Sequence, residues 1–512
     1  AGEDRWIAVE DVARCRDGLG VVPTAGLAPV WLEPADAPLE SLLLRFARTH
    51  APFAARAPAA RFGLDAAKVE SALRPPIQAG RLLEGEFRPG GAGREYCDPE
   101  VLRQVRRLTL ARLRNEVAPV DAAALARFLP RWQHVGGHSM GLVGLRQAVA
   151  QLEGLPFPLA ELVDVILPAR VVEFQPRLLD ELGAQGELVW VGRGALGPGD
   201  GRIALFRRDS LAALGDPVVP ELRTHVHEKI WRHLETRGAS FLADLFAAIP
   251  EVTRAEVEEA LWDLVWGGAV TNDTFQPLRT RGRPETRSRT ARNQPPPSGR
   301  WSTLAPLRPG SASETETAHA RATLLLDRYG VVSREAAAAE GVPGGFAALA
   351  PIYRAMEEAG KIRRGHFVEG LGGAQYAHAA AVDRLRAARG DDGAVTLSAI
   401  DPANPYGALL PWPEASGDQG TPQRVAGARV VIARGVPVFY VERGGRKLRY
   451  FPAEDDVVAV ALEELKRLAS RRRYGELRLS QVNGVAALKS PHAPVLERGG
   501  FRVEPDGLVW SG

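Results

Sequence analysis

At 512 residues, with 45% hydrophobic and 25% charged side chains, the chain is too long for one core, and at about 150 residues per domain it suggests three to five soluble units. No apolar run reaches the roughly 18 to 20 residues of a membrane span, so no membrane partner is expected; only Cys15 and Cys97 occur, which excludes a disulfide framework or Cys-based zinc site and fits a reducing cytoplasm. The net charge of +3 says little about partners, whereas its distribution along the chain says more.

The opening AGEDRWIAVEDVARCRDGLG has no initiator Met and no signal peptide's basic and apolar regions, so residues 1–35 read as a connector from a longer protein. From there a unit recurs in which an amphipathic helix stops at a glycine and a strand, a turn and a second strand follow. It appears in VESALRPPIQAGRLLEGEFRPGGAGREYC with its stop at Gly80, and in QPRLLDELGAQGELVWVGRGALGPGDGRIALFRRD at Gly186. It returns in VEEALWDLVWGGAVTNDTF at Gly268 and in APIYRAMEEAGKIRRGHFVEGLGGAQYA at Gly360. Glycine supplies the left-handed cap that turns the chain out of a helix. Leu188, Val189 and Val191, then Ile203, Leu205 and Phe206, make two strand-like runs.

Helices followed by such a hairpin predict winged helices at 36–102, 216–278 and 317–390. Asp65 is expected to cap a helix in the first, and Thr253 with Glu256 to form a capping box in the second. Residues 103–170 read as a helical, wing-poor relative, with 171–215 as a wing-bearing segment packing on it. Residues 279–316 read as a basic Pro/Arg-rich linker. From Arg279 to Arg308 there are eight Arg and one acid, Glu285, so this stretch carries +7 and the remainder −4 (3 − 7). A basic arm of this kind suits a phosphate backbone, and it equally suits a solvated linker. Residues 391–512 alternate as β-rich or α+β structure. The fold class is therefore α+β and multidomain: tandem winged helices followed by a β-rich module.

The segments RWIAVEDVARCRDGLG, LPARVVEFQPRLLDELGAQGELVWVGRGALGPGDGRIAL, GKIRRGHFVEGLGGAQYA, DPANPYGALLPWP and VFYVERGGRKL together resemble the large helicase-related, Lhr-type superfamily 2 helicases of bacteria. The match runs through nearly the whole chain and corresponds to that family's C-terminal region. The resemblance implies winged helices with a barrel-like end module in a DNA-repair setting, a helicase core elsewhere in the same protein, and self-association with a tetramer in view. It also brings in uracil excision, which has been associated with this region.

Where chemistry could sit is less legible. There is no G-x-x-x-x-G-K-[ST] loop, so ATP and magnesium are expected only in a helicase core and no cofactor is expected here. His225, His227 and His233 do not have the i, i+4 spacing of a zinc helix, and no metal site is assigned. Base excision needs a carboxylate in a cleft. Family analogy directs attention to Asp506 in FRVEPDGLVW and then to Asp401 in DPANPYG, although Pro505-Asp506-Gly507 and Asp401-Pro402 equally suit turns. Nucleic-acid contacts are expected from Arg103, Arg107 and Arg114 on a basic helix side, Arg193 and Arg202 on one wing, and Arg363 and Arg364 on another. Arg287, Arg289 and Arg292 in the basic segment join them. Trp190 and Phe367 are expected to stack on single-stranded bases or else to pack under their hairpins. Three functions follow: a nucleic-acid-binding and assembly region favouring single-stranded or tailed DNA, a metal-independent DNA glycosylase, or a structural oligomerisation scaffold.

Overall fold

The structure is a computed structural model that describes residues 6–88, 93–105, 108, 118–197, 200–216, 218–281, 299–308, 310, 312–388, 390, 393–414, 420–470 and 475–511. They fall into two compact units, Ala1–Ala118 and Pro119–Gly512.

In the first unit, α1 (Val12–Leu19) precedes a winged helix made of α2 (Pro38–Thr49), α3 (Arg56–Phe62), α4 (Ala66–Gln78), β1 (Leu83–Gly85) and β2 (Glu95–Cys97). Asp65 caps α4 by accepting the Ala67 amide, as expected. Gly80 then takes a φ of +67° and turns the chain into β1. The strands pair antiparallel, and Phe53 bridges Tyr96 from the other side. Leu43, Phe46, Leu73, Leu82 and Tyr96 close the core. Each fully buried side chain of this kind contributes about 1.5–3 kcal/mol.

The second unit opens with α5 (Ala122–Trp132), α6 (Gly141–Leu152), β3 (Phe157–Pro158), α7 (Arg177–Ala184), β4 (Leu188–Gly197) and β5 (Asp200–Arg207). These form one winged helix. β3 is the third strand of its sheet, in the order β3-β5-β4, and Leu145, Leu152, Leu179, Trp190 and Ile203 share one core. The helices that look wingless in the sequence thus own the wing that follows them.

A third winged helix consists of α8 (His225–Arg237), α9 (Leu242–Ala248), α10 (Arg254–Trp266), β6 (Val270–Asn272) and β7 (Trp301–Thr303). Thr253 and Glu256 cap α10 reciprocally, as their spacing predicts. β6 pairs antiparallel with β7, with Asn272 opposite Trp301. The basic segment therefore does not link two domains. It interrupts the hairpin of this one, and the domain extends past residue 278 because Trp301 is buried against Trp190 and Trp262.

The fourth consists of α11 (Glu314–Tyr329), β8 (Val331–Val332), α12 (Arg334–Ala339), α13 (Gly345–Glu358), β9 (Arg363–Gly365) and β10 (Gln375–Ala377), with sheet order β8-β10-β9. After α14 (Ala379–Ala387) comes the C-terminal module, whose strands are β11 (Ala394–Ser398), β12 (Arg429–Ala433), β13 (Val436–Val441) and β14 (Lys447–Tyr450). There follow α15 (Asp455–Ser470), β15 (Glu476–Leu479), β16 (Gln481–Val482), β17 (Val485–Ala486), α16 (Ala493–Arg498), β18 (Arg502–Glu504) and β19 (Gly507–Ser511). Its strands form an open six-stranded sheet, β11-β12-β13-β14-β16-β17, and a three-stranded sheet, β15-β19-β18. Among the described residues no pairing joins β17 back to β11, so the expected barrel closure is not seen. Val431, Phe439, Leu448, Val458, Leu465 and Leu477 pack the α15 side of the module. No helix among the described residues is long and apolar enough to cross a membrane.

The second and third winged helices pack without a gap. A methyl on Gly192 would overlap the Val265 carbonyl oxygen, which is backbone and cannot swing aside. Gly192→Ala is therefore expected to cost about 1–3 kcal/mol, read as a lower urea midpoint with unchanged slope.

Candidate nucleic-acid interface

The first and fourth wings are the same device at a constant offset of 280 residues (360 − 80). Gly80, Phe87, Glu95 and Tyr96 have Gly360, Phe367, Gln375 and Tyr376 as counterparts. In the first wing a Glu95 carboxylate oxygen accepts the Phe87 and Arg88 amides at 3.0 and 3.2 Å. In the fourth the Gln375 amide oxygen accepts those of Phe367 and Val368, both at 2.9 Å. A buried side-chain acceptor thus fixes each hairpin and satisfies backbone donors that the turn leaves over.

The two wings differ in what they present. At the positions of Leu83 and Glu84 the fourth wing has Arg363 and Arg364, both exposed, with exposed Lys361 just before them. Glu84 is neutralised by Arg94 at 2.8 Å. Lys361, Arg363 and Arg364 have no carboxylate partner among the described residues, so this wing is an unneutralised cationic edge on a rigid hairpin.

The other expected contacts scatter. Arg202 is exposed on β5. Arg193 is committed: it lies 3.7 Å from Asp216 and over the Phe206 ring at 5.8 Å. Arg103 is exposed and pairs with Glu100 at 2.7 Å. Arg107, Arg114, Arg287, Arg289 and Arg292 lie outside the described residues. The flanks of the basic segment are anchored, Arg279 to Asp180 at 2.5 Å and Arg300 to Asp273 at 2.9 Å, while Arg281 lies over Trp262.

Trp190 and Phe367 are core residues and not stacking platforms. Trp190 is 1% exposed and its Nε1 donates to the Thr274 carbonyl at 3.0 Å. Phe367 is buried, and its carbonyl accepts the Val120 amide at 2.8 Å. Trp190 lies in the stretch of β4 that is buried on both faces, and Phe367 lies in the connection between β9 and β10 with its side chain turned into the core. His227 is buried beside Thr224 and Asp263, and His233 reaches Ser240 at 3.2 Å.

The two candidate carboxylates have opposite settings. Asp506 lies exposed in the turn between β18 and β19. Asp401 is 1% exposed and held by Arg170, itself 1% exposed, through Nη1 and Nη2 at 2.8 and 2.6 Å. Arg170 also donates to Gln133 at 2.8 Å, and the Asp401 carboxylate accepts the Ala403 amide at 2.8 Å. A carboxylate held on both oxygens by a buried guanidinium and closed from solvent is out of reach of water or a sugar. Its place is structural, joining the second winged helix to the C-terminal module.

Beside this joint is a cleft of about 650 Å³, lined by the second winged helix (Phe157, Pro158, Arg202), the fourth (Tyr329, Glu340) and the C-terminal module (Ile400, Arg424, Arg443). Among the described residues Arg424 donates only to main-chain carbonyls, those of Asn404 at 2.8 Å, Tyr406 at 2.9 Å and Asp401 at 3.0 Å. Burial pushes its pKa below the ordinary guanidinium value, although arginine retains its charge at any working pH. Arg170, Arg424 and Arg443 were invisible in the sequence as site residues. No local motif marks a guanidinium whose partner lies 231 residues away.

Winged helices in a row, one with a free cationic wing, followed by a mixed α/β module, define a multi-winged-helix protein. Models of the winged-helix domains of large helicase-related proteins match residues 120–208 and 311–397. The chain is 42% identical over 520 residues to the "Lhr helicase/ probable uracil glycosylase" of Mycolicibacterium smegmatis, covering 95% of this chain and 34% of that protein. It is 34% identical over 565 residues to the "Lhr helicase/uracil glycosylase" of Escherichia coli, covering 100% and 36%. The chain belongs to the Lhr family, as its C-terminal region, and spans about a third of the length of these relatives. The solved Streptomyces sahachiroi DNA glycosylase AlkZ aligns over 71% of this chain and 100% of its own, at 14% identity and a TM-score of 0.42.

Removing one partner of a buried pair leaves an uncompensated charge. Asp401→Ala is expected to cost about 3–5 kcal/mol, whereas Arg170→Met with Asp401→Leu recovers most of it. Equal urea midpoints for Asp401→Ala and the parent chain would show that the pair does not hold the joint.

Proposed function

We propose that this chain is a nucleic-acid-binding and assembly region of an ATP-dependent DNA-repair helicase, with ATP and magnesium handled by a helicase core and not by these residues. The observation that carries the reading is the cationic edge of Lys361, Arg363 and Arg364 on the fourth wing, set against the neutralised first wing. When such an edge binds, its cations displace the counterions condensed on the phosphates into solvent. The expected ligand is single-stranded or tailed DNA, the expected partners are the helicase core and further copies of the chain, a tetramer among them, and the expected compartment is the cytoplasm.

The test is retention of labelled single-stranded, tailed and duplex DNA across a salt series. Affinity should fall with log salt at roughly −0.7 per phosphate contacted on a single strand. Arg363→Glu with Arg364→Glu should weaken binding about tenfold or more and flatten the slope by about two phosphates. Affinity that is flat in salt, or unchanged in this variant, rules the reading out.

A second reading, uracil excision by this region, is favoured by the names of both curated relatives. Asp506 is its candidate carboxylate, being exposed and free to meet an extruded nucleotide's sugar. Asp506→Asn should then abolish uracil release from single-stranded DNA, in EDTA and without ATP, while retention persists. Unchanged release clears Asp506 of that role.

A further inference from the structure

The cleft between the second winged helix, the fourth and the C-terminal module holds charge that the fold does not use. Two of its carboxylates are spent. Glu161 accepts from Arg429 at 2.7 Å, from the Gly427 amide at 3.2 Å and from the Ser398 hydroxyl. Glu340 is held by Arg328 and by the Tyr329 hydroxyl at 2.8 Å. Asp200, on the rim, accepts the amide of Gly201 at 2.8 Å.

Arg202, Arg424 and Arg443 line the same cleft, and none of them has an ion-pair partner among the described residues. Among the described residues Arg424 is held by carbonyls alone, which fix the guanidinium without cancelling its charge. Arg443 reaches the cleft across Gly427, whose φ is +87° and where a Cβ would press on the Arg443 stem at 3.0 Å. Three cations against one uncommitted carboxylate make a positive cleft within low-dielectric walls, which focuses field on an incoming anion. The same lining also offers accessible apolar side chains: Leu155, Pro156, Ile400 and Val425.

A lining that combines uncancelled cations with accessible apolar side chains calls for a ligand with an anionic group and a flat, weakly polar body. Guanidinium forks suit phosphate oxygens, and a base can lie on apolar and aromatic side chains. The volume falls within the range of small-molecule sites. An inorganic anion would leave these apolar side chains uncovered. We propose that this cleft binds one nucleoside-phosphate unit, its phosphate towards Arg202, Arg424 and Arg443 and its base against Leu155, Pro156 and Ile400. The unit is either a free nucleotide or one residue of a bound strand. The choice of ligand rests on the nucleic-acid reading above, whereas the site is separate from the wing that carries that reading.

The experiment is equilibrium dialysis of the whole chain with radiolabelled dCMP and, separately, inorganic phosphate, together with photocrosslinking of single-stranded DNA containing 4-thiothymidine. Saturable dCMP binding is expected, tighter than phosphate and weakened about tenfold by Arg443→Glu. Arg443 is exposed, so the variant should keep the parent melting midpoint. Crosslinks in residues 155–158 or 400–402 identify the strand as the source; dCMP binding without them identifies a free nucleotide. Absence of both, equal binding of phosphate and dCMP, or indifference to Arg443→Glu overturns the proposal. DNA retention that persists alongside any of those results leaves the wing reading standing.

Discussion

The arrangement of the second unit depends on a buried ion pair, Arg170 with Asp401. Neither group could be desolvated alone, since a lone charge in the interior is strongly unfavourable. Each therefore requires the other's domain to be in place. Arg170 also engages Gln133, and Asp401 also accepts the Ala403 amide, so the remaining polar capacity is largely met. Glu161 with Arg429 and Ser398 repeats the arrangement nearby, again between the second winged helix and the C-terminal module. Arg328, fully buried, adds the fourth winged helix by donating to the Gln151 and Glu153 carbonyls of the second. Apolar contacts would give adhesion with little direction, whereas these pairs specify one docking geometry. The cleft exists because three elements are held apart at that geometry.

Repetition of one fold supplies several surfaces from a single plan. The wings of the first and fourth winged helices share their glycine stop, their buried acceptor and their paired aromatic residues, so their backbones are equivalent. The buried acceptor changes from Glu95 to Gln375, and at solvent-facing positions Leu83 and Glu84 give way to Arg363 and Arg364. A rigid hairpin can change its electrostatic character at those positions without cost to packing. The third winged helix varies in another way: its hairpin is interrupted between Asn272 and Trp301, with the ends fixed by strand pairing and by Trp301 in the core. The chain thus leaves and rejoins the same folded module on either side of its arginine-rich stretch.

Local features were legible from residues alone. The glycine stops, the caps at Asp65 and Thr253, the paired runs of β4 and β5 and the change of texture near residue 393 all depend on neighbours within about a dozen positions. Backbone sterics and periodicity therefore reveal them. The joining of 103–170 with its wing was only half visible, because β3 is two residues long and has no alternation to read. The extension of the third domain past its basic segment was hidden by composition, since prolines and arginines read as a boundary. Barrel closure was an expectation of resemblance, and the strand order is that of open sheets.

The sequence by itself determined the recurring helix-and-hairpin pattern, its order along the chain, the family resemblance and the arginines of the fourth wing, because each is encoded in short-range pattern or residue type. Only the tertiary structure decided which charged groups are free. Asp401 and Asp506 are both turn-flanking carboxylates in the sequence; one meets Arg170 from 231 positions away and is closed from water, and the other stays exposed. Trp190 and Phe367 were equally ambiguous until packing placed them inside. Arg202, Arg424 and Arg443 came together only through the docking of separate modules, and contact between residues far apart in the chain leaves no mark in local pattern.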